Sequence, residues 1–396
     1  MPYAQEAFST LGETLVKDGR QITTADVKDA EILAIRSTTN VTREMLEGSK
    51  VKFVGTATIG TDHMDKAYMD SVGIKWCYAP GCNANSVSEY VTAALLCLAN
   101  RHGFKLEGKT IGVIGVGNVG SLVVKKAEAL RMRVLRNDPP KKREESGQKS
   151  EDRSQGSEIK GQNVERWWGL DEVLAEADII TLHVPLTKTG QDATYRMANK
   201  AFFEKIKPGS IFLNCARGGV VNTNDVLEAM DRKTISHTVI DTWEGEPTYR
   251  RDLLERADIA TPHIAGHSFE GKVYGTVMVY QEACKFLGIE PTWTPEALLP
   301  PPLVPELIVD AMGRGDEAVL RDIVKKVYDI EGDDNRMRSG DTDDDKERAA
   351  HFDRLRSKYP MRREFRFTNI ILKNAADRLR RKVALLGFKL DGKAQA

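Results

Sequence analysis

Arg217, Glu246 and His263 are the residues of this chain whose types and settings point first to chemistry. Arg217 lies in Asn214-Cys-Ala-Arg-Gly-Gly219, Glu246 in Asp241-Thr-Trp-Glu-Gly-Glu-Pro247, and His263 in Thr261-Pro-His-Ile-Ala-Gly266. A histidine titrates near neutrality, so it can take the proton of a substrate hydroxyl. A carboxylate beside it orients the ring and stabilises the imidazolium. An arginine grips a carboxylate through two parallel hydrogen bonds and so fixes which face of the neighbouring carbon is presented. Together they suit oxidation of a small 2-hydroxy acid at its alcohol carbon. Singly, each has an ordinary explanation: a surface ion pair, a glutamate in a turn before proline, a satisfied structural histidine. As an ordered trio, with Arg217 and Glu246 just past strand-like segments, they point to catalysis, because ligands of open α/β sheets gather at the carboxyl ends of strands.

Removal of a hydride needs an acceptor. Gly115-Val-Gly-Asn-Val-Gly120 is a GxGxxG motif between a strand-like run, Ile111 to Ile114, and a helical pattern with Val119, Leu122, Val123, Ala127 and Leu130 on one side. In such a turn Gly115 permits the tight bend, Gly117 lets the backbone approach a pyrophosphate, and Gly120 lets helix and strand pack closely. Asn118 and Val119 open the helix, whose first N–H groups and positive dipole end face the phosphates. Asp138 follows a second strand-like run and is expected to accept hydrogen bonds from both ribose hydroxyls. Its charge would repel a 2′-phosphate, which favours NAD over NADP.

These residues must be held by something. Glu31–Arg36, Val51–Gly55, Lys109–Ile114, Ile179–Val184, Ser210–Asn214 and Thr238–Asp241 read as strands separated by helical patterns. Such alternation predicts parallel sheets covered by helices. Ser86-Val-Ser-Glu89 matches a capping box before a long core helix. Residues 141–163 are highly charged and read as a solvated loop. Leu298-Leu-Pro-Pro-Pro-Leu-Val-Pro305 reads as a semi-rigid linker. Beyond it, Ala318 to Tyr328 suits an amphipathic helix, Asp341 to Arg348 an exposed loop, and Phe365–Leu372 a strand. The expected fold is α/β: two Rossmann-like domains with doubly wound parallel sheets, plus a small α+β C-terminal dimerisation domain. The substrate-binding domain is expected at 1–92 and 267–290, the NAD-binding domain at 93–266, and the C-terminal domain at 291–396.

Composition narrows the partners. The chain has 396 residues with 58 Lys+Arg and 58 Asp+Glu, hence no net charge and no field to hold a polyanion. Neither nucleic acid nor a membrane surface is expected as a partner. Cys77, Cys82, Cys97, Cys215 and Cys284 form no CxxC pair, which suits reduced thiols in a cytoplasm. The first twenty residues have no apolar core of a signal peptide, and no apolar run approaches the ~20 residues of a membrane span. No metal is expected: Asp62-His-Met-Asp65 lacks a matching ligand set, and His63, His102, His183, His237 and His351 read as structural.

The Gly115–Gly120 turn, Asn214-Cys-Ala-Arg-Gly218, Glu244-Gly-Glu-Pro247 and Thr261-Pro-His-Ile264 together resemble the D-isomer-specific 2-hydroxyacid dehydrogenases. Phe53-Val-Gly-Thr-Ala-Thr58, Gly60-Thr-Asp-His63, Pro80-Gly-Cys-Asn-Ala84, Asp138-Pro-Pro140, Val327-Tyr-Asp329 and Arg362-Arg-Glu364 resemble the branch of that family that works in vitamin B6 synthesis. The resemblance implies oxidation of 4-phospho-D-erythronate at C2 to 3-hydroxy-2-oxo-4-phosphobutanoate, with NAD as acceptor and a homodimer as the working form. It implies His263 as acid/base, Glu246 as its partner and Arg217 as carboxylate anchor. It places Ala216, Asp241 and Gly266 with the cofactor, and Ser37, Thr58 and His267 with the substrate. Phosphoglycerate dehydrogenases, hydroxypyruvate reductases and NAD-sensing corepressors share the superfamily and are the alternatives. Three departures stand out. The chain opens at Met1-Pro2-Tyr3-Ala4, later than the family pattern, which would leave a sheet edge without its first strand. The charged 141–163 segment is an insertion. His267 stands where the family usually has tyrosine.

Overall fold

The structure, a computed structural model, describes residues 1–153 and 166–390; positions 154–163 of the charged segment lie outside them. The chain divides into two compact units, one of Met1–Ser86, Gly266–Pro302 and Met361–Glu364, the other of Val87–Ala265, Leu303–Pro360 and Phe365–Ala396.

In the first unit, β1 (Ile32–Ile35), β2 (Phe53–Thr56) and β3 (Lys75–Tyr78) form a parallel sheet in the order β1-β2-β3. β2 is buried along its whole length, as the central strand of a covered parallel sheet must be. Successive side chains go to opposite faces. Phe53 packs with Tyr280, Ala283 and Cys284 of the Phe269–Leu287 helix, and Val54 packs with Val27, Leu33, Met64 and Met69 on the other face. Ser268 caps that helix by accepting from Gly271 N at 2.9 Å, and Gly288 closes it at φ 70°. The short stretch Met361–Glu364 is anchored by buried charge. Arg363 pairs with Glu270, and Glu270 also accepts from Glu364 N at 2.9 Å, so neither ion is buried alone.

In the second unit, β4 (Thr110–Ile114), β5 (Arg133–Asn137), β6 (Ile179–Leu182), β7 (Ser210–Asn214), β8 (Ile235–Ile240) and β9 (Ile259–Ala260) form a parallel sheet ordered β5-β4-β6-β7-β8-β9. The order reverses at β4, which pairs with β5 on one side and β6 on the other. That is the switch point where doubly wound sheets bind ligands. β4, β6 and β7 are buried along their whole lengths. The same unit holds a second parallel sheet of β10 (Glu306–Asp310), β11 (Asn369–Lys373) and β12 (Lys389–Leu390), backed by the Asp316–Val327 helix through Val319, Leu320, Ile323 and Val324. Lys382 ties that region to Glu107 and Asp316, each at 3.1 Å.

Four local expectations are corrected. The Ala84–His102 helix begins before Ser86, so Ser86-Val-Ser-Glu89 is not a capping box. Ser86 instead accepts from Ser268 N at 3.0 Å, and Glu89 accepts from Phe365 N at 2.9 Å. The start of the charged segment is helical, Pro139–Arg153, rather than loop. Asp138 accepts from Lys141 N at 3.0 Å, and Pro139 sits at the first helical position, where its missing N–H costs nothing. The exposed loop near Asp341 ends at Asp344, which caps a helix Asp345–Ser357 through Lys346 N and Glu347 N. Arg348 on that helix is buried. The Phe365–Leu372 strand begins later: Phe365–Phe367 is a 3-10 turn, and stacking of Phe365 on Phe388 at 4.4 Å holds it out of the sheet.

Candidate active site

The cofactor loop follows β4. Gly115 has φ +87°, a conformation that admits little but glycine, and its N–H bonds Asn137 O at 2.8 Å. A Cβ on Gly120 would stand 1.9 Å from Gly115 O, so helix and loop meet with no room for a side chain. A Cβ on Gly117 would meet nothing within 4 Å, which leaves its backbone open to an approaching phosphate. The Asn118–Ala129 helix starts there, with Val119 and Gly120 in its first turn. Asp138 accepts from Val116 N at 2.8 Å, which fixes the carboxylate against the loop while its oxygens keep lone pairs for a ribose. These features fit a dinucleotide.

The trio follows β7, β8 and β9, three adjacent strands, at their carboxyl ends. Asn214 shapes the first of these loops. Its amide donates to Thr242 O at 3.1 Å and accepts from Ala216 N at 3.2 Å. Arg217 comes next and donates from Nη1 to Ala216 O at 2.8 Å. A Cβ on Gly218 would stand 1.8 Å from Trp243 O, so only glycine lets the loops after β7 and β8 touch.

Glu246 and His263 are directly joined, Oε1 to Nδ1, at 2.6 Å. A carboxylate can only accept, so Nδ1 carries the proton and Nε2 is the basic nitrogen. The second Glu246 oxygen accepts from Trp243 N at 3.1 Å. Burial pushes the Glu246 carboxyl up, but the His263 charge, its hydrogen bond and the Trp243 N–H outweigh this and hold it below the usual glutamate range. His263 itself has φ +54°, a conformation uncommon for a side-chain-bearing residue. Asp241 holds it there. His263 N donates to Asp241 O at 2.7 Å, and the Asp241 carboxylate accepts from Thr261 Oγ1 at 2.7 Å, Ile264 N at 2.8 Å and Ala265 N at 3.1 Å. Burial drives the Asp241 carboxyl above its ordinary range in spite of these bonds and of His263. The structure therefore puts Asp241 under the histidine loop as its support.

In the first unit, Ser37 follows β1 and Thr58 follows β2, at the carboxyl ends of adjacent strands. Thr58 Oγ1 lies 2.7 Å from Thr56 Oγ1, which lies 2.9 Å from His63 Nε2. Gly266 packs on Asn83: a Cβ there would stand 2.1 Å from Asn83 Nδ2. His267 precedes the Ser268 cap. The sequence reading passed over Asn83, Asn214 and three cations of this unit, Arg36, Lys272 and Arg362. Burial first, then the charges of Arg36 and Arg362, lower Lys272 to about 8. Arg36 is next to Ser37 and Arg362 opens Arg362-Arg-Glu364, but only folding brings their charges together.

The chain is similar to proteins of known family. The family profile "D-isomer specific 2-hydroxyacid dehydrogenase, NAD binding domain" matches residues 96–265, and "Domain of unknown function (DUF3410)" matches 298–387. Erythronate-4-phosphate dehydrogenase of Edwardsiella ictaluri is 41% identical over 365 residues, 92% of this chain and 91% of that protein. The enzyme of the same name from Cronobacter sakazakii is 41% identical over 369 residues, 92% of this chain and 90% of that one. Among solved structures, D-lactate dehydrogenase from Aquifex aeolicus complexed with NAD and lactic acid aligns with a TM-score of 0.58 at 25% identity, over 73% of this chain and 92% of that one. NAD+-bound 3-phosphoglycerate dehydrogenase of Entamoeba histolytica aligns with a TM-score of 0.57 at 22% identity, over 72% and 89%, a likeness of fold.

Proposed function

From the premise that this chain belongs to the erythronate-4-phosphate dehydrogenases, within the D-isomer specific 2-hydroxyacid dehydrogenase family, we propose that it oxidises 4-phospho-D-erythronate to 3-hydroxy-2-oxo-4-phosphobutanoate in pyridoxal 5′-phosphate synthesis. The observation that carries this reading is the 2.6 Å Glu246–His263 pair, on the carboxyl edge of the sheet whose β4 bears the dinucleotide loop. His263 Nε2 takes the C2 hydroxyl proton, and Glu246 stabilises the imidazolium. Arg217 holds the substrate carboxylate. NAD, when bound, would supply the acceptor for the C2 hydride. Gly115, Gly117, Asn118, Val119 and Gly120 would hold its pyrophosphate, Asp138 its ribose, and Ala216, Asp241 and Gly266 its nicotinamide end. Ser37, Thr58 and His267 would meet the hydroxyls and phosphate.

The phosphate is supported by the gathered charges of Arg36, Lys272 and Arg362. Turnover on 4-phospho-D-erythronate, D-erythronate and 3-phospho-D-glycerate tests the reading. Loss of the phosphate is expected to lower kcat/KM at least about 10²-fold, since it removes the anion that these three cations would meet. Preference for 3-phospho-D-glycerate would overturn the substrate assignment.

We also propose that residues 291–396 pair two copies of the chain. β10 is an edge strand, and Leu303, Ile308 and Met312 around it are 77%, 56% and 68% exposed. Large apolar side chains at an open edge invite another chain. Light scattering is expected to give twice the 44.1 kDa chain mass, and Ile308→Lys with Met312→Lys to halve it. A wild-type monomer would sink this. All five cysteines are free, which supports a cytoplasmic setting. No helix among the described residues is long and apolar enough to cross a membrane.

A further inference from the structure

At the opposite edge of the six-stranded sheet from the trio, three side chains able to bind a metal converge. His102 ends the Ala84–His102 helix, His237 lies near the start of β8, and Asp258 immediately precedes β9. His102 Nε2 is 2.8 Å from Asp258 Oδ1, and His237 Nδ1 is 3.1 Å from the same oxygen. The two imidazoles stack with centroids 3.6 Å apart and planes 26° apart. One ligand atom from each residue falls within 4.8 Å of the other two.

We propose that His102, His237 and Asp258 form a binding site for a divalent transition-metal ion of the zinc class. Two imidazole nitrogens and one carboxylate oxygen are the donors that suit zinc, cobalt or nickel, whereas calcium and magnesium prefer all-oxygen sets. A tetrahedral ion with bonds of ~2.0–2.1 Å has ligand–ligand edges of ~3.3 Å. The two spacings to Asp258 Oδ1 therefore need to open by only a few tenths of an ångström, and the two ring nitrogens lie within 4.8 Å of each other. The protons that each ring now offers to Asp258 move to the other ring nitrogen, and the ion takes their place between the three atoms. With neutral imidazoles the trio of ligands carries one negative charge, which favours a cation.

The ligands are held in advance. The second Asp258 oxygen accepts from Thr238 N at 2.9 Å, and Asp258 N donates to Thr238 O at 3.1 Å. The nearby Arg101 guanidinium is engaged by the Asp258 carbonyl and by Glu331, so part of its charge is already met. The His102, His237 and Asp258 side chains are 26%, 24% and 16% exposed, which leaves an entry path and a position for water on the ion. Such an ion would tie the end of a helix to two strands. It has no part in the dehydrogenation, and its presence does not depend on the substrate assignment.

The test is a titration of the full-length, chelator-stripped chain with Co²⁺, read by its visible absorption, followed by displacement with Zn²⁺. The wild type is expected to bind one equivalent. His237→Gln and Asp258→Asn are each expected to weaken binding at least about 10²-fold while dehydrogenase turnover stays unchanged. The Asn variant keeps the shape of the carboxylate, so it decides the matter should the His variant fold poorly. Uptake equal in wild type and both variants, or no stoichiometric uptake by the wild type, would overturn the site.

Discussion

His263→Ala is expected to lower kcat for NADH formation about 10³-fold with NAD binding unchanged. The alcohol cannot lose hydride unless its proton leaves as the carbonyl forms. Nε2 of His263 is the base set up to receive it, because Nδ1 is committed to Glu246 at 2.6 Å. Glu246→Gln keeps an acceptor for Nδ1 but removes the charge that stabilises the imidazolium. Its expected loss is smaller, about 10²-fold in kcat. Steady-state kinetics at saturating NAD, together with NAD titration of each variant, separate the two effects. The alanine side chain leaves the Gly115–Gly120 turn untouched, so cofactor affinity serves as the control for folding. Unchanged turnover in His263→Ala would remove the role proposed for it.

Arg217→Lys is expected to lower kcat/KM about 10²-fold through both constants. The guanidinium already spends one donor on Ala216 O at 2.8 Å, and that bond fixes its plane. Its remaining donors suit the two oxygens of a carboxylate. A lysine ammonium is a single point and cannot hold that plane, so the acid group would turn and C2–H would leave its line toward the nicotinamide. Arg217→Ala is expected to fall further and to regain part of its rate when guanidinium ion is added. If Lys matched Arg in both kcat and KM, the carboxylate anchor would have to be sought elsewhere.

The dehydrogenase scaffold was legible in the sequence because its signals are local. A buried strand, a glycine turn and an acid at the next strand's end lie within one short stretch, and each is forced by backbone sterics and hydrogen bonding over a few residues. The helix at Pro139 was legible in the same way, from Asp138 as cap and Pro139 in the first turn. The charged composition that follows suits a solvated loop and a solvated helix alike, so it does not choose between them, whereas the cap does. Ser86-Val-Ser-Glu89 shows the reverse error. Its spacing satisfies a local rule, but the helix starts earlier, and both polar side chains are spent on Ser268 and Phe365, far away in the chain.

What the sequence determined by itself, then, was the order of strands and helices, the dinucleotide turn and the candidacy of Arg217, Glu246 and His263, since each is written in residues that are neighbours along the chain. The tertiary structure decided how those residues are held and what else meets. Asp241 braces the left-handed backbone of His263 only once β8 and β9 pair. Arg36, Lys272 and Arg362 share a field only after folding, and His102, His237 and Asp258 become one cluster only when a helix end and two strands are brought together. Charge and coordination act through distances in space, and a linear pattern carries no distance between residues that the chain itself does not connect.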